Sequence, residues 1–209
     1  TYGYVFDPIG NRITTTNNSE VTSYVANDLD QYIAISNAVR ILPVHDDDGN
    51  MLTNGVWNYT WDGENRVRTV SSNDVLLVAY TYDPRSRRIG KEVSHFESNT
   101  WFVAESGSFL YDGWNMILEF QSSNISTFHS STNSYVWGLD LSGSLQGAGG
   151  VGGLLAVSAA GSNVPGFYLP AFDANGNVVE YVSTDGTIVA HYEYSPFGET
   201  VIQSGDTFD

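Results

Sequence analysis

The sequence holds no cysteine in its 209 residues, and only 8 Lys and Arg against 24 Asp and Glu. The missing thiols exclude a disulfide framework, thiolate metal centres and thiol nucleophiles together, and leave the redox compartment open. A formal charge of −16 argues against a phosphate-backbone ligand, because few cationic groups are present to displace its counterions. The expected partners therefore include no nucleic acid, and an anionic membrane surface is disfavoured on the same ground. Long apolar runs are missing too. Residues 141–172 carry no charge, but Gly143, Gly147, Gly149, Gly150, Gly152, Gly153, Gly161, Pro165 and Gly166 break them up, which suits no spanning helix. Thr1-Tyr2-Gly3-Tyr4 shows no basic and apolar leader pattern, so the chain reads as a mature product or as a segment of something longer.

Basic residues are absent altogether after Lys91. Up to that point 11 acids face 8 bases, whereas the remaining 118 residues hold 13 acids and no Lys or Arg. Such a surplus calls for another source of positive charge or a tolerance of self-repulsion. A hard cation such as Ca²⁺ is the natural candidate. With 41% hydrophobic and 13% aromatic residues, there is material for one domain's core.

What is present in abundance is a repeat, built as aromatic-x-aromatic-Asp, then Pro, Gly or a polar residue, then an aliphatic. Three copies are Tyr4-Val5-Phe6-Asp7, Tyr59-Thr60-Trp61-Asp62 and Tyr80-Thr81-Tyr82-Asp83. Phe109-Leu110-Tyr111-Asp112 and Tyr192-Glu193-Tyr194-Ser195 are two more, and degenerate copies centre on Asn27, Asp46 and Asp173. Period-2 alternation puts both rings of a copy on one face of a strand. Asp then ends the strand by accepting backbone N–H bonds, and Gly three residues on, as at Gly10, supplies a positive φ. Each copy is thus a hairpin with an aromatic side, which buries that side only by stacking with its neighbours. Asp185-Gly186 predicts a two-residue type I′ turn pairing Glu180 with His191. Helical periodicity is weak throughout. The reading is an all-β chain, one domain over 1–209, with repeats over 1–134 and a distinct segment over 135–209 that is glycine-rich at 143–153.

These copies resemble the YD repeats of the Rhs family, which occur also in teneurins and in the shell-forming subunits of Tc toxins. Tyr135-Val136-Trp137-Gly138-Leu139-Asp140 and the glycine-rich run to Ala156 are similar to the Rhs-associated core, and Phe172-Asp173-Ala174-Asn175-Gly176 fits the same pattern. The resemblance covers Tyr4 to about Gly198. It implies a β-sheet strip that spirals into a hollow shell, in an exported or cell-surface protein whose family members enclose a C-terminal toxin. Roughly ten hairpins fit here at the observed period, enough for a short curved strip. The family's self-cleaving aspartyl element lies near Asp-Pro-x-Gly-Leu, which does not occur before Asp209, so neither autoproteolysis nor cargo is expected of these residues.

Candidate site residues fall into two sets. Asp46, Asp48 and Asn50, and likewise Asp173, Asn175 and Asn177, place acceptors at first, third and fifth positions, a spacing suited to Ca²⁺. The competing reading, an Asx turn between strands, is favoured for each. Glu180, His191 and Glu193 share one face of the predicted hairpin, where a carboxylate beside an imidazole makes a general base or a ligand set. An ordinary cross-strand surface pair competes there and is favoured. Gly147, Gly149 and Gly152 match a dinucleotide spacing without its strand-to-helix context, which favours backbone close packing. Three functions follow. The first is a wall-forming YD-repeat module that binds calcium. The second is a Ca²⁺-dependent hydrolase of a small ester or lactone, using Glu180, His191 and Glu193 or His45 with Asp46 and Asp48. The third is carbohydrate binding along the aromatic rows. Free sheet edges also predict self-association.

Overall fold

The computed structural model describes residues 2–72, 75–124, 128–161 and 165–205. Among them there is no helix, and strand follows strand. The first sheet holds β1 (Tyr2–Phe6), β2 (Arg12–Asn17), β3 (Glu20–Ala26), β4 (Tyr32–Ser36) and β5 (Arg40–Ile41), hydrogen-bonded in chain order. The second begins with β6 (Val44–His45), β7 (Met51–Asn54), β8 (Trp57–Trp61), β9 (Val67–Ser72), β10 (Leu76–Tyr82), β11 (Arg88–Glu97) and β12 (Thr100–Asp112). It continues through β13 (Asn115–Ser123), β14 (His129–Trp137), β15 (Leu154–Ala160), β16 (Gly166–Phe172), β17 (Val178–Ser183), β18 (Ile188–Tyr194) and β19 (Thr200–Gly205), again in chain order. Neither sheet closes on itself, so the all-β, stacked-hairpin expectation holds. The chain forms two compact units, Thr1–Tyr80 with Val93–Phe102, and Thr81–Glu92 with Val103–Asp209.

In the first unit, alternation separates the faces as the repeat requires. Tyr59 stands opposite Val70, and Val70 opposite Val78. One residue over, Thr60 faces Thr69 with their hydroxyls 2.6 Å apart, and Asn58 faces Ser71. Rings also pack on one another within the unit, Tyr24 on Tyr32 at 5.3 Å and Phe96 on Trp101 at 5.2 Å. Each such pair adds about 0.5–1.5 kcal/mol beyond its buried area.

The second unit carries most of the buried core: Ala104, Phe109, Leu154, Ala156, Val157, Ala159, Tyr168 and Ala190. Small residues predominate, and no large side chain among the described residues is fully enclosed. Tyr135 pairs with Val157 and Val157 with Tyr168, and farther along Tyr181 meets Tyr192 edge-on at 6.5 Å.

Hairpins close in two ways. Tight two-residue turns join β2 to β3 at Asn18-Ser19, and β12 to β13 at Gly113-Trp114, where Asp112 faces Asn115. Gly55-Val56, between Asn54 and Trp57, is a further two-residue turn. The recurrent second kind is a five-residue turn with its fourth residue left-handed, from Asn65 at 58° to Gly10 at 100°. Asp185-Gly186 belongs to the second kind, not to a type I′ turn. Only Gly186 of the two is left-handed (φ 87°), and Ser183 begins the turn by donating its N–H to Thr187 O and accepting that of Gly186. A register shift after Tyr181 then restores the predicted pairing of Glu180 with His191.

Nothing lies within 4 Å of where a Gly186 side chain would begin. Gly186→Ala therefore strains the backbone alone and is expected to cost about 1–2 kcal/mol in urea unfolding, with Gly186→Asn costing less because Asn tolerates that region.

Candidate functional site

The five-residue turn is one constellation repeated along the chain. Asp83 donates its N–H to Arg87 O and accepts that of Ser86 on its carbonyl. Asp83 Oδ1 accepts the N–H of Arg85 at 2.8 Å and of Arg87 at 3.0 Å, and Oδ2 accepts Arg87 Nε at 2.7 Å. Asp62 repeats this with Glu64 and Arg66, and Asp7 with Ile9 and Asn11. Asn27 does so with reversed polarity, its amide donating to Gln31 Oε1. At Ser195 the hydroxyl alone accepts from Phe197 and Glu199. The fifth residue also links turns: Asn11 Nδ2 donates to Asp30 Oδ1 at 3.0 Å, Asn50 Nδ2 to Asn65 Oδ1 at 2.9 Å, and Arg87 Nη1 to Gly113 O. Arg87 also lies over the Tyr111 ring, 5.2 Å from its centre.

Both loops proposed for calcium are copies of this turn. Asp46 Oδ1 accepts Asn50 N at 2.7 Å and Oδ2 accepts Asn50 Nδ2 at 3.1 Å. Asp173 accepts from Asn175 N and Asn177 N on Oδ1 and from Asn177 Nδ2 on Oδ2. Asn50 and Asn177 thus turn N–H toward the carboxylate, not oxygen toward a shared centre. Among the described residues no three His, Cys, Asp or Glu side chains are arranged to hold a metal.

The hairpin cluster forms as the register predicts. His191 Nδ1 lies 3.4 Å from Glu180 Oε1 across the ladder, and Nε2 lies 3.5 Å from Glu193 Oε1 on its own strand. His191, Glu193 and Asp173 line an open hollow of about 670 Å³ with Asn177, Tyr194 and Ser195. His45, in the first unit, is paired with Met51 on β7.

Two buried acids escaped the sequence reading. Asp140 is a further copy of the turn, donating to Ser144 O and accepting from Gly143, whose φ is 75°. Its Oδ1 takes the Ser142 N–H and hydroxyl, while Oδ2 reaches Ala148 N at 2.6 Å and Gly150 N at 3.2 Å. The signal was there, an Asp with Gly three residues on. Of the three glycines expected to pack closely, Gly147 and Gly152 do, a Cβ at Gly147 lying 2.6 Å from Ser144 Oγ and one at Gly152 3.2 Å from Leu141 Cδ2, whereas Gly149 has nothing within 4 Å. Gly150 packs closely too, its Cβ falling 2.9 Å from Asn115 Oδ1. The second acid, Glu119, is buried on β13, where it accepts Tyr135 OH at 2.7 Å and Gln121 Nε2 at 2.9 Å. Burial, then the bond to Glu119, pushes the Tyr135 phenol well above its ordinary value.

The Ser142 hydroxyl, joined by three backbone N–H groups, holds the Asp140 carboxyl down at about 2 against the opposing effect of burial. The Asn177 side chain leads in lowering Asp173. For Asp7, Asp46, Asp62 and Asp83 desolvation is the largest influence and acts upward, but the summed N–H donors outweigh it and the carboxyl is lowered.

Braced turns closing strand after strand of open antiparallel sheets define a stacked β-hairpin repeat protein. The chain belongs to the Teneurin YD-shell family, whose model matches residues 1–209. It is 26% identical over 198 residues to the tRNA3(Ser)-specific nuclease WapA of Bacillus spizizenii and to the tRNA nuclease WapA of Bacillus subtilis. Those matches take in 93% of this chain and only 7% of each relative. Among solved structures it resembles the crystal structure of TcdB2-TccC3-Cdc42, with a TM-score of 0.54 and 14% identity over 98% of this chain and 14% of that one. The Photorhabdus luminescens Tc holotoxin pore gives 0.52 and 15%, over 98% and 13%.

The relatives' names overturn the expected partners. Nucleic acid was excluded and a small ester or lactone put forward, yet the proteins this chain resembles are named as tRNA nucleases. The charge argument failed because a balance counted over one stretch of polypeptide does not describe the partners of a whole protein. No helix among the described residues is long and apolar enough to cross a membrane.

Each lowered carboxyl binds its proton less readily folded than unfolded. Its contribution is full above the unfolded value of about 4 and is lost as pH falls through the folded value. Thermal unfolding followed against pH should show Tm level above about pH 5 and falling toward about pH 2, with Asp140→Asn lowering the plateau and flattening the acid limb. Of the two Arg braces, Arg87→Ala should lower Tm more than Arg66→Ala, and Arg87→Lys should not restore it, because one ammonium cannot reproduce the fork that holds Asp83 and Gly113 O.

Proposed function

We propose that this chain is a stretch of wall: a strip of YD-shell sheet whose work in a longer, exported polypeptide is enclosure. The observation that carries the reading is the braced turn, which recurs from Asp7 to Ser195 and spends its acceptors on the backbone of the strip itself. The chain spans a small fraction of its relatives, so the nuclease activity in their names belongs to those whole proteins. It makes tRNA cleavage the first activity to assay in the polypeptide that carries this segment. Amide hydrogen exchange tests the wall reading. Turn amides of Asn11, Arg66, Arg87 and Asn177 should be protected alongside the strand amides next to them. Rapid exchange at those turns, with protection confined to a few strands, would overturn it.

The Asp46 and Asp173 loops enter this reading as braces. For calcium to seat there, Asn50 and Asn177 must turn their amides over and surrender the bonds to Asp46 and Asp173. We expect the same Tm in chelator and in saturating CaCl₂. A rise in calcium that Asp173→Asn abolishes would return the cation to these loops.

A further inference from the structure

One cluster is not spent on the wall. His191 lies between two carboxylates, Glu180 at Nδ1 and Glu193 at Nε2, on the face of β18 opposite the Tyr192 and Tyr194 rings, which stack with centres 6.4 Å apart. Nε2 and Glu193 Oε1 lie 3.5 Å apart, a gap that a cation bonded to both would fill. Ser204 and Ile202, opposite His191 and Glu193 on β19, bring no charge to fill that gap. Residues 92–209 contain no Lys or Arg that could fill it either. The separation is itself informative. Zinc bonds near 2.05 Å to nitrogen and 2.1 Å to oxygen place two tetrahedral ligands about 3.4 Å apart. The His191 and Glu193 side chains are both part-exposed, which leaves the other coordination positions to water.

We propose that His191 Nε2 and Glu193 form a two-ligand chelate for a divalent transition metal of the zinc class, with Glu180 as the positioning residue that holds the ring by Nδ1. A carboxylate behind a metal-bound imidazole fixes its tautomer and raises its basicity, the arrangement common in zinc sites. Mixed imidazole and carboxylate donors favour zinc or copper over calcium. This inference does not depend on the wall reading, since the pair belongs to a single strand.

The test is calorimetric titration of the chelator-treated protein with ZnCl₂, and separately with CaCl₂. Saturable zinc binding is expected, with little heat from calcium. His191→Ala should reduce zinc binding to the background set by the other histidines. Glu193→Gln should weaken it strongly, and Glu180→Gln by about 10-fold or more. These side chains are part-exposed, so the variants keep the β spectrum, which circular dichroism checks. Nitrogen-15 shifts of His191 supply a second readout: Nδ1 stays protonated and Nε2 shifts on zinc addition in the parent, while Glu180→Gln mixes the tautomers. Zinc binding that His191→Ala leaves unchanged, or an imidazolium at His191 with no saturable zinc binding, would overturn the proposal.

Discussion

The structure depends on one acceptor, the side-chain oxygen that begins the five-residue turns; at Ser183 alone among those described the first hydroxyl donates, and Asp185 accepts the Thr187 N–H in its place. A chain that reverses through a left-handed fourth residue leaves backbone N–H groups with no ladder partner, and each would go unmet or rely on water. A carboxylate at the first position takes the N–H groups of the third and fifth residues on one oxygen, as Asp62 does with Glu64 and Arg66. Its second oxygen then fixes the fifth side chain. Asn27 and Ser195 show that the role belongs to the acceptor and not to the charge. Asn27 inverts the amide contact, and Ser195, with one oxygen, closes the backbone bonds and leaves Glu199 without that tie.

Because every hairpin is closed locally, the sheet does not need a thick core. The buried residues are small, Ala34, Ala104, Ala156, Ala159 and Ala190 among them, while large apolar side chains such as Val25, Leu110 and Ile188 remain more than half exposed. Stability is spread over many similar units, each contributing a turn and its cross-strand pairs, as repeat proteins distribute it. The buried Glu119 is the exception, an acid between Phe109 and Asn133 on the neighbouring strands, and it is tolerated because Tyr135 and Gln121 both donate to it.

How legible this was depended on whether the signal was local. Ring-x-ring-Asp announced β1, β8 and β10 and the turns after them, because alternation and the acceptor lie within five residues. Pairing Glu180 with His191 came out right from a turn of the wrong type, since a five-residue turn followed by a one-residue slip gives the same register as a two-residue turn. Asp140 was passed over although Gly143 stands where the repeat needs it, because the partners of its second oxygen, Ala148 and Gly150, come eight and ten residues later. Burial of Glu119 was not legible, because nothing beside it in sequence marks which neighbours will cover it.

The departure at Asp140 has a physical logic tied to the loss of Arg after Arg88. In the turn at Asp83 the fifth residue, Arg87, is long and forked enough to brace its own Asp and still grip the carbonyl of Gly113 in the next hairpin turn. No later turn has such a residue; Asn177 and Glu199 occupy the fifth position instead. At Asp140 the glycine-rich loop takes over the grip. Gln146 donates to Asp112 O at 3.0 Å and accepts Trp114 N at 3.1 Å, and Asn115 Nδ2 reaches Leu145 O at 3.3 Å. The tight turn between β12 and β13 is therefore held from one side by a guanidinium and from the other by a neutral amide carried on the loop that Asp140 organises. Glycine at 150, where a Cβ would lie 2.9 Å from Asn115 Oδ1, and at 113, where one would meet the Gln146 amide, lets that loop lie close enough for a neutral side chain to make the connection that Arg87 makes by length and charge.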